Sequence, residues 1–336
     1  MKKVKVINPL PFYIYFWTIA SLTVIGLADS VFLAISHYRV YTDISYKSFC
    51  AISKALNCDT VSQSSYAIFL NLPVAVWGVI GYAFILMLLP FTRSEESCKK
   101  RIWSLILWLS LTFSCGSVIL ALISSFRIRS YCIMCIFTYG VNFALVFYAW
   151  LIRRRFSNTG LIEDTKGDFL FLWRKKAKSI PLLTTFLSTV VFIWILIPAY
   201  WHFRPPPPPK NIPQGFTAAG HPWIGAENPV LEIIEFADYQ CFQCKKMHFF
   251  LRQFIAQNPV KIRLIHRHYP MDHKFNPIVK EPFHVGAGKM ALLAIASGLK
   301  NKFWEMNDLL YSIEGNKKVL SIKEMSDALG LDKYEI

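Results

Sequence analysis

Five apolar segments separated by short polar stretches dominate the first 201 residues. They run approximately Phe12–Tyr38, Ala67–Leu89, Ile102–Ile123, Tyr131–Leu151 and Ile180–Trp201. Each offers roughly the 20 residues a helix needs to cross a hydrocarbon core. After Trp201 the pattern changes. Arg204 and the prolines Pro205 to Pro209 predict a semi-rigid polyproline II spacer. Beyond it, Val230–Phe236 reads as a short strand that leads through Ala237–Gln240 into Cys241. Met247, Phe250, Leu251 and Phe254 then recur at helical spacing. Val260 to His268 alternates like a second strand, and the remainder reads as helical up to Ile336. No internal repeat is visible.

The pattern predicts an α-helical integral membrane protein followed by an α/β domain. Its parts are a transmembrane domain at 1–155, a cytoplasmic loop and fifth membrane helix at 156–204, a polyproline linker at 205–210 and an outer domain at 211–336. Composition agrees with that division. Hydrophobic residues make up 54% of the chain and charged residues 17%, against about a quarter charged in soluble domains, so lipid is the solvent for much of it. The net charge of +16 does not imply nucleic acid, because the basic residues cluster between apolar segments, as at Arg153–Arg155 and Arg174–Lys176. With the N-terminus inside, inner segments carry fifteen Lys and Arg residues and outer loops carry Arg39, Lys47, Lys54, Arg127 and Arg129. That bias sets the N-terminus in the cytoplasm, and five crossings then set the C-terminal domain outside. Lys2, Lys3 and Lys5 precede the first segment, which is too long for a signal peptide and reads as an uncleaved anchor.

Eight cysteines decide the candidate chemistry, six of them in three close pairs. Cys50 and Cys58 lie in the outer loop between the first two segments, where a disulfide is geometrically feasible; the pair is either a structural staple or redox-active. Cys132 and Cys135 form a C-x-x-C at the outer end of the fourth segment. Cys132 sits where the helix begins, so free N–H groups and the helix dipole favour its thiolate. No histidine accompanies the pair at that depth, which argues against zinc. Cys241 and Cys244 form a second C-x-x-C between a strand and a helix, the thioredoxin-like redox context. Glu235 on that strand is placed to relay the proton of the buried thiol; the bland alternative is a strand-edge carboxylate facing solvent. Cys98 reads as a reduced inner-loop thiol and Cys115 as a packing residue. Asp29, inside the first segment, is costly in lipid and is left without a role. His266, His268 and His273 read as a solvated basic loop, so no metal site is expected.

The arrangement Cys50-x7-Cys58-Asp59, Ser64, Leu72-Pro73, Gly78 and Tyr131-Cys-Ile-Met-Cys135 resembles bacterial homologues of vitamin K epoxide reductase, and residues 211–336 look similar to the DsbA-like, thioredoxin-like domain that many of them carry. The resemblance implies a four-helix bundle around a quinone (ubiquinone or menaquinone) in the bacterial inner membrane. Cys135 and Tyr139 would then lie at the quinone, Cys132 would exchange disulfide with the loop pair, and Ser64 would support the loop. Two departures stand out. Pro270 and Pro277 come too early for the expected cis-proline, so the outer domain reads as C-terminally truncated, and Phe242-Gln243 replaces the Pro-His often found between the cysteines. The expected function is quinone-coupled disulfide formation in exported proteins, with electrons arriving from reduced substrates or a separate thioredoxin-like carrier. The competing readings are a membrane disulfide reductase or isomerase working in the opposite direction and a non-enzymatic thiol- or metal-binding membrane protein.

Overall fold

A computed structural model describes residues 11–53, 55–93, 101–157, 159–203 and 206–312. Cys98 lies outside the described residues, as do Lys2, Lys3, Lys5, Lys54, Lys99 and Lys100 of the charge count, Arg204 and Pro205 of the linker, and the helical reading of 313–336. The chain divides into two compact units, residues 1–200 and 201–336.

Among the described residues the first unit holds five helices long and apolar enough to cross a membrane. Helix α1 spans Phe12–Thr42. The second segment becomes helical only at Val74, later than its apolar run suggests. Ile68–Phe69 (β1) and Leu72–Pro73 (β2) pair as a tiny antiparallel hairpin after the short helix α2, Cys58–Ser62. Leu70 and Asn71 turn it with positive φ of 48° and 58°, the handedness that two-residue hairpin turns require. Pro73 then starts α3, Val74–Leu88. Helix α4, Trp103–Ile123, runs on into a wider π-helical turn at Ser124–Ile128, closed by the Arg129 N–H on the Ser124 carbonyl at 2.7 Å. Helix α5 spans Ile133–Phe156.

Helices α1, α3, α4 and α5 share one apolar core, including Ile19, Tyr82, Ile85, Ile106, Leu145 and Ile152. Close approach of α1 and α3 depends on Gly26, where any Cβ would overlap the Tyr82 ring. The loop after α5 contains a helix that the sequence reading passed over, α6 at Leu161–Arg174. Two acidic side chains anchor it: Asp164 pairs with Arg153 at 2.9 Å, and Asp168 bonds the Ser104 hydroxyl. Helix α7, Lys176–Leu196, buries none of its side chains, as suits a single span that meets lipid on most faces.

The second unit is a four-stranded sheet with helices. Its strands are β3 (Gln214–Phe216), β4 (Pro222–Gly225), β5 (Leu231–Ala237) and β6 (Ile262–His268), in spatial order β3-β4-β6-β5. Strands β5 and β6 run parallel through helix α8, Phe242–Gln257, from Leu231 opposite Ile262 to Ala237 opposite His268. The other two contacts are antiparallel. Gly225 has φ of +117°, and a side chain there would strike the Ile262 carbonyl, so only glycine lets β4 lie this close to β6. Helices α9 (Ala287–Gly298) and α10 (Phe303–Ser312) complete the described part. The prolines 206–209 of the linker run belong to this unit: the Pro207 carbonyl accepts from Arg252 at 2.9 Å, and Pro209 is buried.

Candidate redox sites

In the first unit, local hydrogen bonding brings two cysteine pairs together. Asn57 caps α2 by accepting from the Thr60 N–H at 3.1 Å, which makes Cys58 the first helical residue. The Asp59 carboxylate accepts from the Ser48 N–H at 3.2 Å and folds the preceding chain back. Cys50 and Cys58 are thereby joined in a disulfide with their Cα atoms 5.6 Å apart. The stretch before Cys58 then pairs with the stretch before Cys132. Tyr131 N–H donates to the Ala55 carbonyl at 2.8 Å, and Asn57 N–H donates to the Tyr131 carbonyl at 2.9 Å. As a result Cys50, Cys58 and Cys132 are all buried in one cluster, packed with Leu33, Val61, Met134 and Cys135.

Cys132 is the N-cap of α5, and its Sγ accepts from the Cys135 N–H at 3.2 Å. Its thiol is held below the usual range, first by the hydrogen bond from the Cys135 side chain and then by the N–H groups of Cys135 and Met134, while burial and the Asp29 charge oppose. Only the N–H contribution is the helix-terminus effect that its position implies. Tyr139 lies one turn beyond Cys135, half-buried and within electrostatic reach of both sulfurs. Ser64 does not cap a helix through its side chain; its hydroxyl donates back to the Val61 carbonyl at 2.7 Å and ties off α2 inside the loop. Cys115 is exposed on α4 and not packed inside, because its helical face points away from the shared core. Asp29 is buried, and the Thr138 hydroxyl bonds its Oδ2.

The second unit repeats the capping device. Cys241 caps α8, with Sγ accepting from the Cys244 N–H at 3.4 Å. Its thiol is lowered to about 6 by the Cys244 side-chain hydrogen bond, assisted by the Cys244 and Gln243 N–H groups and the nearby His284, against burial. The Cys244 thiol is pushed far up by the same hydrogen bond and by burial. One thiol of the pair is thus a ready nucleophile and the other a buried resolver. Alkylation of Cys241 in the reduced protein is expected to rise with pH around a midpoint near 6, against about 8.5 for an ordinary thiol. Iodoacetamide rates read by peptide mass spectrometry check this, and a midpoint above 8 contradicts it.

Glu235 on β5 is buried and its Oε1 lies 2.7 Å from His266 Nδ1; it does not face solvent at a strand edge. The histidines correct the sequence reading. His266 and His268 stand on β6, His266 is wholly buried, and its Nε2 lies 3.2 Å from His268 Nδ1. Alternation along the strand turns His266 inward, where Glu235 on the neighbouring strand pairs with it, so these two do not belong to a solvated loop. His273 does lie in a loop, 3.5 Å from Asp272. The sequence reading also missed Asp238 and His284, which approach to 3.1 Å beside Cys241. One signal was available: Phe242-Gln243 supplies no cation between the cysteines, so any positive charge has to come from another segment.

The geometry of the first unit can be set against known proteins. Residues 17–150 match the Vitamin K epoxide reductase family. The matched stretch runs from within α1 into α5 and contains Cys50, Cys58, Cys132, Cys135 and Tyr139. The chain is also similar to mouse (Mus musculus) vitamin K epoxide reductase complex subunit 1, at 28% identity over 141 residues, which cover 38% of this chain and 83% of that protein. The vitamin K epoxide reductase-like part therefore coincides with the helices that share a core and with both cysteine pairs in it. The second unit lies outside the match.

Proposed function

We propose that this chain is a quinone-coupled thiol–disulfide oxidoreductase that drives disulfide formation in exported proteins, with α1, α3, α4 and α5 as a four-helix bundle in a bacterial inner membrane. The observation that carries the proposal is the single buried cluster of Cys50, Cys58 and Cys132. Disulfide exchange needs a thiolate beside a disulfide sulfur, and this cluster supplies both, with Cys132 as the favoured thiolate. Electrons enter from reduced substrate thiols through Cys241 and Cys244, or through a separate thioredoxin-like carrier, and pass to Cys50/Cys58 and on to Cys132/Cys135. At each handover one S–S bond forms as another breaks, and two electrons move with two protons. Oxidation of Cys132 and Cys135 to a disulfide then reduces a quinone to its quinol. The residues around Cys135 suit such a substrate: Ile136, Phe137 and Phe143 are exposed on the surface of α5, and Tyr139 offers a hydroxyl on the Cys135 side. Glu235 is the proton relay of the Cys241/Cys244 pair, coupled to His266. The charge bias supports a cytoplasmic N-terminus and an extracytoplasmic second unit.

Purified protein given a reduced dithiol and a short-chain quinone is expected to form quinol with matching loss of thiols, and Cys132→Ala is expected to form none. Quinol production that survives Cys132→Ala would rule out the relay. Cysteine labelling from each side of sealed vesicles tests the orientation, with Cys241 expected on the outside.

A further inference from the structure

Asp29 places a carboxyl group in the middle of α1, at 5% exposure. Ionisable groups at such depth are expensive in a membrane helix and mark function when retained. Its surroundings form a polar column through an otherwise apolar core. Cys135, Thr138 and Asn142 follow one another at helical spacing along one side of α5. Tyr82 on α3 donates to Asn142 Oδ1 at 2.6 Å, and Asn142 Nδ2 donates to Ser117 of α4 at 2.9 Å. Gly26, one turn before Asp29, leaves room for the Tyr82 ring. The Asp29 charge bears on both Tyr82 and Cys132.

The contact with Thr138 accommodates two protonation states. The Thr138 hydroxyl lies between Asp29 Oδ2 and the Met134 carbonyl, which is 3.2 Å away. It donates to a carboxylate, or it accepts from a protonated Asp29 and donates to Met134. Asp29 Oδ1 meets no hydrogen-bond donor among the described residues. A buried oxygen left without a donor is destabilising.

We propose that Asp29 is the internal proton carrier for oxidation of the Cys132/Cys135 pair, an inference that rests on the quinone-coupled reading above. In that step the Cys132 thiolate and the Cys135 thiol join in an S–S bond and surrender two electrons to the quinone. The quinone takes up two protons: one is the Cys135 proton, which Asp29 accepts and passes to a quinone oxygen, and the other enters from water. Asp29 ends as the carboxylate it began as. The titratable groups within its electrostatic reach are Cys132 and Cys135 from the α5 side and Tyr82 from α3; the short helix α2 carries Asp59.

The test separates two half-reactions between pH 5 and 9. One is oxidation of the reduced protein by a short-chain quinone, and the other is exchange of Cys132/Cys135 with a soluble dithiol without quinone. Asp29→Asn keeps the Thr138 contact and carries no proton. It is expected to slow the quinone step about 100-fold and to weaken the rise of its rate with pH, with dithiol exchange not slowed, since loss of the Asp29 charge favours the Cys132 thiolate; Asp29→Glu is expected to restore most of the rate. A wild-type rate and pH profile in Asp29→Asn overturns the proposal, as does an equal loss in both half-reactions. Where Asp29→Asn fails to assemble, Thr138→Val removes the switchable partner and is expected to displace the pH profile; an unmoved profile overturns the proposal. Wild-type protein that exchanges dithiols yet reduces no quinone sinks the quinone reading and this inference with it. Failure confined to the Asp29 variants leaves that reading standing.

Discussion

Cys135→Ala is expected to accumulate as a mixed disulfide between Cys132 and the loop pair, with quinone reduction lost to background. The Cys132 thiol is held below the ordinary range and packs against the Cys50–Cys58 disulfide. That thiolate attacks the disulfide in the reverse of the handover proposed above, through the same mixed disulfide, and in the wild-type chain Cys135 then displaces the loop thiol by forming the Cys132–Cys135 bond. Without Cys135 the exchange stops halfway, because the freed loop thiol is the one remaining resolving group nearby. Cys58 is the expected partner of Cys132, since the backbone pairing of Asn57 with Tyr131 brings these neighbours together. Non-reducing digestion and mass spectrometry should recover linked peptides containing Cys58 and Cys132. Full alkylation of Cys132 in the variant, with no linked peptide, would contradict the expectation and remove the main support for the relay.

The second large effect concerns stability of the second unit. Arg252 on α8 is wholly buried and pairs with Asp308 on α10 through two bonds of 2.9 Å, and His248 adds a third contact to the same carboxylate at 2.8 Å. Asp308→Ala leaves a cation buried without its counter-ion and is expected to cost about 3–5 kcal/mol. Domains of this size are stable by about 5–15 kcal/mol, so the variant should lose much of its margin. Urea titration of the full chain, read by protease cleavage within α8, measures it. A loss under about 1 kcal/mol would show that the pair contributes no more than a surface ion pair. Arg252→Met combined with Asp308→Leu is expected to recover most of the loss, since an apolar pair carries no unmet charge. The pH dependence has a fixed sign. Burial pushes the Asp308 carboxyl up, but hydrogen bonds from His248 and Arg252 outweigh it and hold it below its ordinary 3.8. The stabilisation is therefore present above that value and is lost as pH falls through the lower folded one.

Much of the architecture was legible in the residues because lipid imposes a simple rule. A segment that meets hydrocarbon must be apolar throughout and must satisfy its backbone internally, so α1, α4 and α5 fall close to their expected places. The same reasoning missed the hairpin before α3, where Ile68, Phe69, Leu72 and Pro73 are as apolar as the helix that follows. It missed α6 because an amphipathic helix held by Asp164 and Asp168 requires knowledge of Arg153 and Ser104 as partners. Strands β5 and β6 were readable from their apolar runs, whereas β3 and β4 are short and contain Gly215, Pro222 and Gly225.

By itself the sequence determined that there are long apolar spans and roughly where most of them lie, the strand and helix around Cys241, and the position of Cys132 at a helix start, since each follows from local composition or from spacing along one helix. Only the tertiary structure decided that the loop disulfide lies against Cys132, that His266 is buried on Glu235, and that Asp29 meets Thr138. Those contacts join residues up to 109 positions apart. Pairing across such distances is set by the packing and hydrogen bonding of whole elements, which no local pattern encodes.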